Sequence, residues 1–404
     1  MNILIIGPFA PHGQVGAIRM ISLSRFLIQH GHKVTTLCLS EQTLMKMDPQ
    51  GLTAKTPSGV EEFHYDVTLS CSSLMKKNII NENECCTALN QLLAGKSFDV
   101  AIISAGPFYQ FKCSKTLKSH RIPFIVDYRD LHLSSKDKRK RKGLINKIKF
   151  LVSYPARFLQ EYRCVQPADA ITVVAPPMRE NISEFFHVSI RKIHVVYNGF
   201  DDEILQGVDL KNDNNQVFTI GYFGKLMYYN QELTAMLFQA IEKINKESLR
   251  IRFLHIGPEN RVIKEYFAKE GINKLGWYEC VGQKEYVEGI RILSGCNVCA
   301  LEYAYPEGPG TKVFDYIFLN KPVIGILKPG IYLERFLAQF DNAFVCHDKE
   351  EIENALQKIL SEKIDSLINT NNAIEIINEF SRSKQNERFE ELMVSVAHRG
   401  TNNE

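Results

Sequence analysis

NILIIGPFAPHGQVGAIRMISLSRFLIQHG, residues Asn2 to Gly31, decides the class of fold. NILIIG is a continuous apolar run, as expected of a strand in a parallel sheet covered on both faces. A loop rich in Gly and Pro follows. AIRMISLSRFLIQHG then has helical spacing and stops at Gly31, a natural residue just past a helix end. KVTTLCL, from Lys33, reads as the next strand. DVAIISA, IPFIVDY and AITVVA continue the pattern, with helical CCTALNQLLAG and MRENISEFF beside them.

The second half restarts in the same style. FTIGYFG (Phe218–Gly224) is followed by helical LTAMLFQAIEKIN, then IRFLHIG, NVCALEY, TKVFDYIFLN and KPVIGIL. Two series of alternating strands and helices predict two doubly wound α/β domains facing a central cleft. The expected boundaries are an N-terminal domain over 1–197, a polar linker over 198–216, a C-terminal domain over 217–375, and a C-terminal helix and tail over 376–404. A length of 404 residues agrees, being too much for one ordinary core.

Composition narrows the function. The chain is 45% hydrophobic and 24% charged, with a net charge of +3, as in soluble globular proteins rather than whole-chain nucleic-acid binders. No apolar run reaches the length of a membrane span. The opening MNILIIGPFAPHG lacks a basic segment and breaks at Pro8, unlike a signal peptide. Ten scattered cysteines, with one Cys296-x-x-Cys299 pair, offer no zinc spacing, so reduced thiols in a cytoplasmic chain without a metal are expected. Neither G-x-S-x-G nor H-E-x-x-H occurs.

Open α/β sheets bind ligands beyond the carboxyl ends of their strands. In the first half that place is PFAPHGQVGAIR, where Gly13 and Gly16 free the backbone and Arg19 lies one turn into the helix. A phosphate or acceptor contact and a turn that merely needs glycine fit equally well. GxGxxG is missing, so this is no dinucleotide fingerprint. In the second half it is PEGPGTKVFD, Pro306 to Asp315. Gly308, Pro309 and Gly310 allow a tight bend, and Thr311 can cap the helix that follows. The N–H groups of Thr311 and Lys312 would suit a diphosphate. Asp315, four residues past Thr311, shares its helix face and could accept bonds from a ribose diol. Glu307 would reach what lies beyond the phosphates. Read alone, the same acids also fit a helix N-terminus stabilised by its dipole.

Several stretches together resemble retaining GT-B glycosyltransferases, in particular glycosyltransferase family 4. Glu307 and Asp315 stand in that family's E-x7-E position. PHGQVGAIRMISLSRFLIQHGHKVTTL resembles its N-terminal loop, helix and strand. AIISAGPFYQFKCSKTLKSHRIPFIVDYRDLH resembles a block of the branch that builds bacterial surface polysaccharides. ADAITVVAPPMRENI, VVYNGFDDE and FTIGYFGKLMYYNQELTAMLFQAI resemble later blocks in the family's order. The resemblance implies a sugar moved from a nucleotide-sugar donor, UDP-sugar being the commonest, to a saccharide or lipid-linked oligosaccharide, with no further cofactor and no essential metal. It implies that Glu307 contacts the donor sugar, Asp315 the ribose, Thr311, Lys312 and Gly310 the phosphates, and Gly282 and Gln283 the base. Lys225 would neutralise the leaving diphosphate. Asp127, Arg129 and Asp130 would face the acceptor with Gly13, Gly16 and Arg19, one of the acids orienting its hydroxyl.

The chain departs from the family at Asp315, one methylene short, and at Asn230, where Lys is usual. Pro309 removes an N–H from the phosphate loop, and SAGPFY lacks the cleft His of many members. These departures motivate an alternative, a catalytically degenerate binding or scaffolding partner; a nucleotide-sugar epimerase on the same fold is a third reading.

The segment 136–163 stands apart. Lys136 to Lys149 holds eight Lys/Arg against one Asp, so +7, which leaves −4 for the remainder. Leu144, Ile145, Ile148, Leu151, Val152 and Phe158 recur at helical spacing, with Pro155 as an expected kink. A basic cluster beside an amphipathic helix predicts peripheral attachment to an anionic membrane surface. A solvated loop before a core helix is the other reading. Nucleic acid fits poorly, because no aromatics are interleaved with the charges.

Overall fold

The computed structural model describes residues 1–7, 17–43, 56–67, 69–72, 77–80, 83–106, 108–135, 144–210, 217–228, 230–273, 275–361 and 373–401. Two compact units emerge, one of Met1–Asn198 with Arg382–Glu404, the other of Gly199–Ser381.

In the first unit the strands are β1 (Asn2–Ile6), β2 (Lys33–Leu39), β3 (Glu61–Tyr65), β4 (Leu69–Ser72), β5 (Lys77–Ile80), β6 (Val100–Ala105), β7 (Phe124–Tyr128), β8 (Ala170–Val173) and β9 (Ile193–Val195). β4 and β5 form an antiparallel pair, and the others form a seven-stranded sheet in the order β3-β2-β1-β6-β7-β8-β9. Its pairings are parallel; Ile3 stands opposite Val34 on one side and Val100 on the other. Every residue of β6 and β7 is buried, because helices cover both sheet faces. The helix Ile18–Gln29 ends where Gly31 takes a left-handed φ of 79°. The helix Leu144–Val165 runs on through Pro155. The C-terminal helix Arg382–Thr401 belongs to this unit, with Asn386 donating to Ser22 at 3.2 Å.

The second unit contains β10 (Phe218–Phe223), β11 (Ile251–Ile256), β12 (Tyr278–Cys280), β13 (Val298–Tyr303), β14 (Val323–Leu327) and β15 (Ala343–Cys346). They form a parallel sheet in the order β12-β11-β10-β13-β14-β15. The strand order reverses between β10 and β13, the place where such sheets open a crevice for ligands. Trp277 anchors the core, fully buried, with its indole N–H on Glu242 at 2.5 Å and its ring against Phe238 and Phe267. Truncating such a side chain typically costs about 3–5 kcal/mol.

The stretch read as a linker is partly structured. Asp202–Leu205 forms a short helix capped by the Asp201 carboxylate, which accepts from the Ile204 N–H at 3.2 Å. Residues 211–216 lie outside the described ones. The chain returns to the first unit after Ser381, later than the expected boundary at 376, because Phe380 is held among Phe314, Phe336 and Phe340.

Candidate functional site

The carboxyl edge of the second sheet is tied together strand by strand. His255, fully buried at the end of β11, has Nε2 2.8 Å from the Gly224 carbonyl and Nδ1 2.8 Å from the Tyr278 hydroxyl. Burial lowers its pKa, so the ring is neutral; Nε2–H donates to Gly224, and Nδ1 accepts from Tyr278. The loop after β10 is thereby fixed to β11 and β12. Contact is close enough to demand glycine, since a Cβ on Gly257 would lie 2.1 Å from the Gly224 oxygen. A Cβ on Gly224, whose φ is 115°, would lie 2.9 Å from Cε of Lys312. The loop after β10 and the helix after β13 meet at the strand reversal.

β13 leads into the segment singled out from the sequence. Glu307 is 2% exposed, and Tyr305 donates to its Oε2 at 2.7 Å. Gly310 turns the chain with a φ of 75°, and the helix Lys312–Leu319 begins two residues later. Thr311 does not cap this helix through its side chain, contrary to expectation. Its φ and ψ of −104° and −36° are already helical, whereas a capping hydroxyl works from extended backbone. Asp315 accepts from Tyr286 at 2.5 Å, and Tyr286 stacks on Phe223. Tyr316 donates to the Ala300 carbonyl at 2.9 Å, which fastens the helix to β13.

Lys312 turns its side chain inward. Its ammonium lies 3.9 Å from the Tyr222 ring centre and donates to the Tyr222 hydroxyl at 2.5 Å; that hydroxyl donates to Glu302 at 3.2 Å. Burial pushes Lys312 down to about 8, against the pull of Glu302 and Asp315. Burial pushes the Glu302 carboxyl up to about 7, partly offset by Asn230, Lys312 and Tyr222. Sequence reading missed Glu302, Tyr222, His255, Tyr286 and Tyr305. For Glu302 a signal existed, an acid closing the otherwise apolar strand VCALEY. The tyrosines carry none.

Lys225 is exposed in the loop after β10, with its ammonium 5.3 Å from the Tyr228 ring centre. Gly282, with a φ of 79°, and exposed Gln283 follow β12, where the Val281 N–H donates to the His255 carbonyl. In the first unit Arg19 makes a two-pronged pair with Asp127 at 3.1–3.2 Å and donates to the Tyr197 carbonyl at 2.8 Å. Thr172 donates to the same carboxylate at 2.7 Å, and Asp127 is fully buried. Arg19 and Asp127 therefore satisfy one another inside the fold. Arg129 is half-buried and donates to the Gly106 carbonyl at 3.2 Å, with exposed Asp130 3.7 Å away. Gly13 and Gly16 lie outside the described residues, as does the cation-dense stretch 136–143. On the helix after that stretch, Leu151, Val152, Leu159 and Tyr162 are exposed, Val152 at 78%. Among the described residues no helix is long and apolar enough to cross a membrane.

Residues 16–204 match the family model of Glycosyltransferase Family 4. No curated protein matches the chain in sequence. Among solved structures, sucrose-phosphate synthase from Thermosynechococcus elongatus aligns with a TM-score of 0.69 at 14% identity, over 98% of this chain and 99% of that one. The Anabaena protein HepE in complex with UDP and glucose aligns with a TM-score of 0.64 at 14% identity, over 98% and 100%. A UDP-GlcNAc 2-epimerase from Methanocaldococcus jannaschii gives 0.59 at 12% identity, over 98% and 100%. The two parallel sheets are those of GT-B glycosyltransferases, and the family match over 16–204 supports a glycosyltransferase like those of family 4.

Proposed function

We propose that the chain is a retaining glycosyltransferase that takes a sugar from a nucleotide-sugar donor, a UDP-sugar first, and adds it to a lipid-linked saccharide in surface polysaccharide synthesis. The single observation behind the donor site is the strand reversal of the second unit, where the helix Lys312–Leu319 meets the Gly224 loop. Solved structures of similar fold include one with UDP and glucose.

In this reading the diphosphate lies at the N-terminus of that helix, where main-chain N–H groups point outward. Gly310 lets the chain turn there, and Thr311 and Lys312 supply the N–H groups. Asp315 accepts from the ribose, oriented by Tyr286; Gly282 and Gln283 border the base. Glu307, oriented by Tyr305, meets hydroxyls of the donor sugar. Lys225, exposed on its loop, neutralises the leaving diphosphate, and the buried Lys312 ammonium supports it electrostatically in place of the lysine absent at Asn230. The acceptor hydroxyl attacks the sugar carbon from the leaving-group face through an oxocarbenium-like state. The departing diphosphate takes the acceptor proton, so positioning and charge neutralisation carry the catalysis. No step in this scheme requires a metal. Arg129 and Asp130 are assigned to the acceptor, with Gly13 and Gly16. The exposed apolar face of Leu151, Val152, Leu159 and Tyr162, preceded by the basic stretch, suits attachment to the cytoplasmic face of an anionic membrane.

The epimerase among the structures of similar fold keeps a second reading in view. Incubation of the purified chain with labelled UDP-sugars, with and without a membrane extract as acceptor, separates them. Release of nucleoside diphosphate that requires acceptor and vanishes in Glu307→Gln is expected. Interconversion of the donor without acceptor supports an epimerase, and donor binding with neither reaction supports a non-catalytic partner.

A further inference from the structure

Sequence spacing offers no metal site, yet the sheet of the first unit assembles a set of ligands from residues far apart in the chain. In parallel pairing Cys38 of β2 stands opposite His64 of β3. Glu62 lies two residues before His64, and side chains two apart on a strand share a face. The three side chains therefore meet. Cys38 Sγ is 3.5 Å from His64 Nδ1, and His64 Nε2 is 2.8 Å from Glu62 Oε2. One ligand atom from each residue lies within 4.8 Å of the other two.

We propose that Cys38, Glu62 and His64 form a binding site for a borderline-soft divalent transition metal, zinc above all. Thiolate, imidazole and carboxylate are zinc's usual donors, and tetrahedral bonds of about 2.0–2.3 Å put ligand atoms roughly 3.5 Å apart. The Cys38–His64 pair already has that separation. His64 shows one ring nitrogen to the thiol and the other to the carboxylate; at 40% exposure the ring can turn to present either to a metal. Cys38 is fully buried, so the thiol is shielded from solvent while metal enters past His64. Binding replaces the thiol proton: Cys38–SH and the dication give the metal thiolate and one proton released to solvent. A water completes the fourth position. Because β3 ends the order of its sheet, the metal would fasten an edge strand to its neighbour.

Cobalt(II) titration of the full-length chain under reducing conditions is the test, since a cobalt thiolate has its own charge-transfer absorption. One equivalent of cobalt should produce that band, zinc should displace it, and thermal stability should rise with metal. His64→Gln, a change on the surface that leaves the core intact, should weaken binding at least about tenfold. Cys38→Ser should abolish the band, whereas Cys280→Ser should keep it. No band in the wild type, or a band unchanged in His64→Gln and Cys38→Ser, overturns the proposal.

Discussion

The Tyr286 hydroxyl donates to Asp315 at 2.5 Å, so the carboxylate assigned to the ribose is held in place from a neighbouring helix. Hydrogen bonds to charged groups contribute about 1.5–3 kcal/mol. Tyr286→Phe should therefore weaken donor binding by roughly tenfold or more, seen as a raised donor KM with kcat little changed. Calorimetric titration with the nucleoside diphosphate checks it.

Glu307 is predicted to act on the sugar alone. Glu307→Gln should lower kcat by at least about a hundredfold, as loss of a preorganised polar contact in a transition state does. Affinity for the free nucleoside diphosphate should not change. Equal loss of both would place Glu307 in the fold rather than in the reaction.

Glu302 and Lys312 should shape stability against pH. The folded Glu302 carboxyl sits at about 7 against an ordinary 4.5, so the native state holds the proton more tightly. Its contribution is full below 4.5 and is lost as pH rises to about 7. Lys312, at about 8 rather than 10.5, acts the other way: the unfolded chain binds the proton more tightly, and stability rises from about 8 to 10.5. Urea unfolding across this range should show a shallow minimum near neutrality. In Glu302→Gln the decline on its acid side should disappear.

Glu390 on the C-terminal helix accepts from His30 at 2.9 Å and His32 at 2.7 Å. Burial alone would raise its pKa, but the two histidines outweigh it and hold the carboxyl below its ordinary value. The contribution is present above the ordinary carboxylate range and is lost as pH falls through the lowered value. Relative to the slower intrinsic exchange at low pH, protection from hydrogen exchange in Arg382–Thr401 should fall on acidification, and fall less in the His30→Gln, His32→Gln double variant, whose helix is already loosened at neutral pH.

Breaking the Arg19–Asp127 pair should damage the fold. Arg19→Ala leaves Asp127 buried with Thr172 as its remaining side-chain partner among the bonds described above, and removal of one member of such a pair costs about 3–5 kcal/mol. Denaturant unfolding should show this loss, while nucleotide affinity in the other unit stays as it was.

The fold was legible because NILIIG, DVAIISA and FTIGYFG are largely apolar and alternate with stretches of helical spacing, the pattern of strands in a parallel sheet covered on both sides. The turn at Gly310 and the helix that starts at Lys312 were legible because Gly308, Pro309 and Gly310 stand together ahead of an apolar helical stretch; the roles given to Glu307 and Asp315 belong to the proposal. Contacts that depend on register or on side chains reaching across the sheet were not. Arg19 and Asp127 looked like two residues offered to a ligand, yet they neutralise one another across 108 positions of sequence. Cys38 and His64 show no spacing at all and meet because β2 pairs with β3. Tyr286 and Tyr305 carry no pattern that separates an orienting hydroxyl from a core aromatic.

The most direct test of the central claim is calorimetric titration of UDP, GDP, ADP and CMP into the wild type and Asp315→Ala. One nucleotide should bind at a single site, and Asp315→Ala should weaken it at least about tenfold. Binding of none of the four, or equal binding by wild type and Asp315→Ala, would contradict a nucleotide-sugar site at the start of the helix Lys312–Leu319.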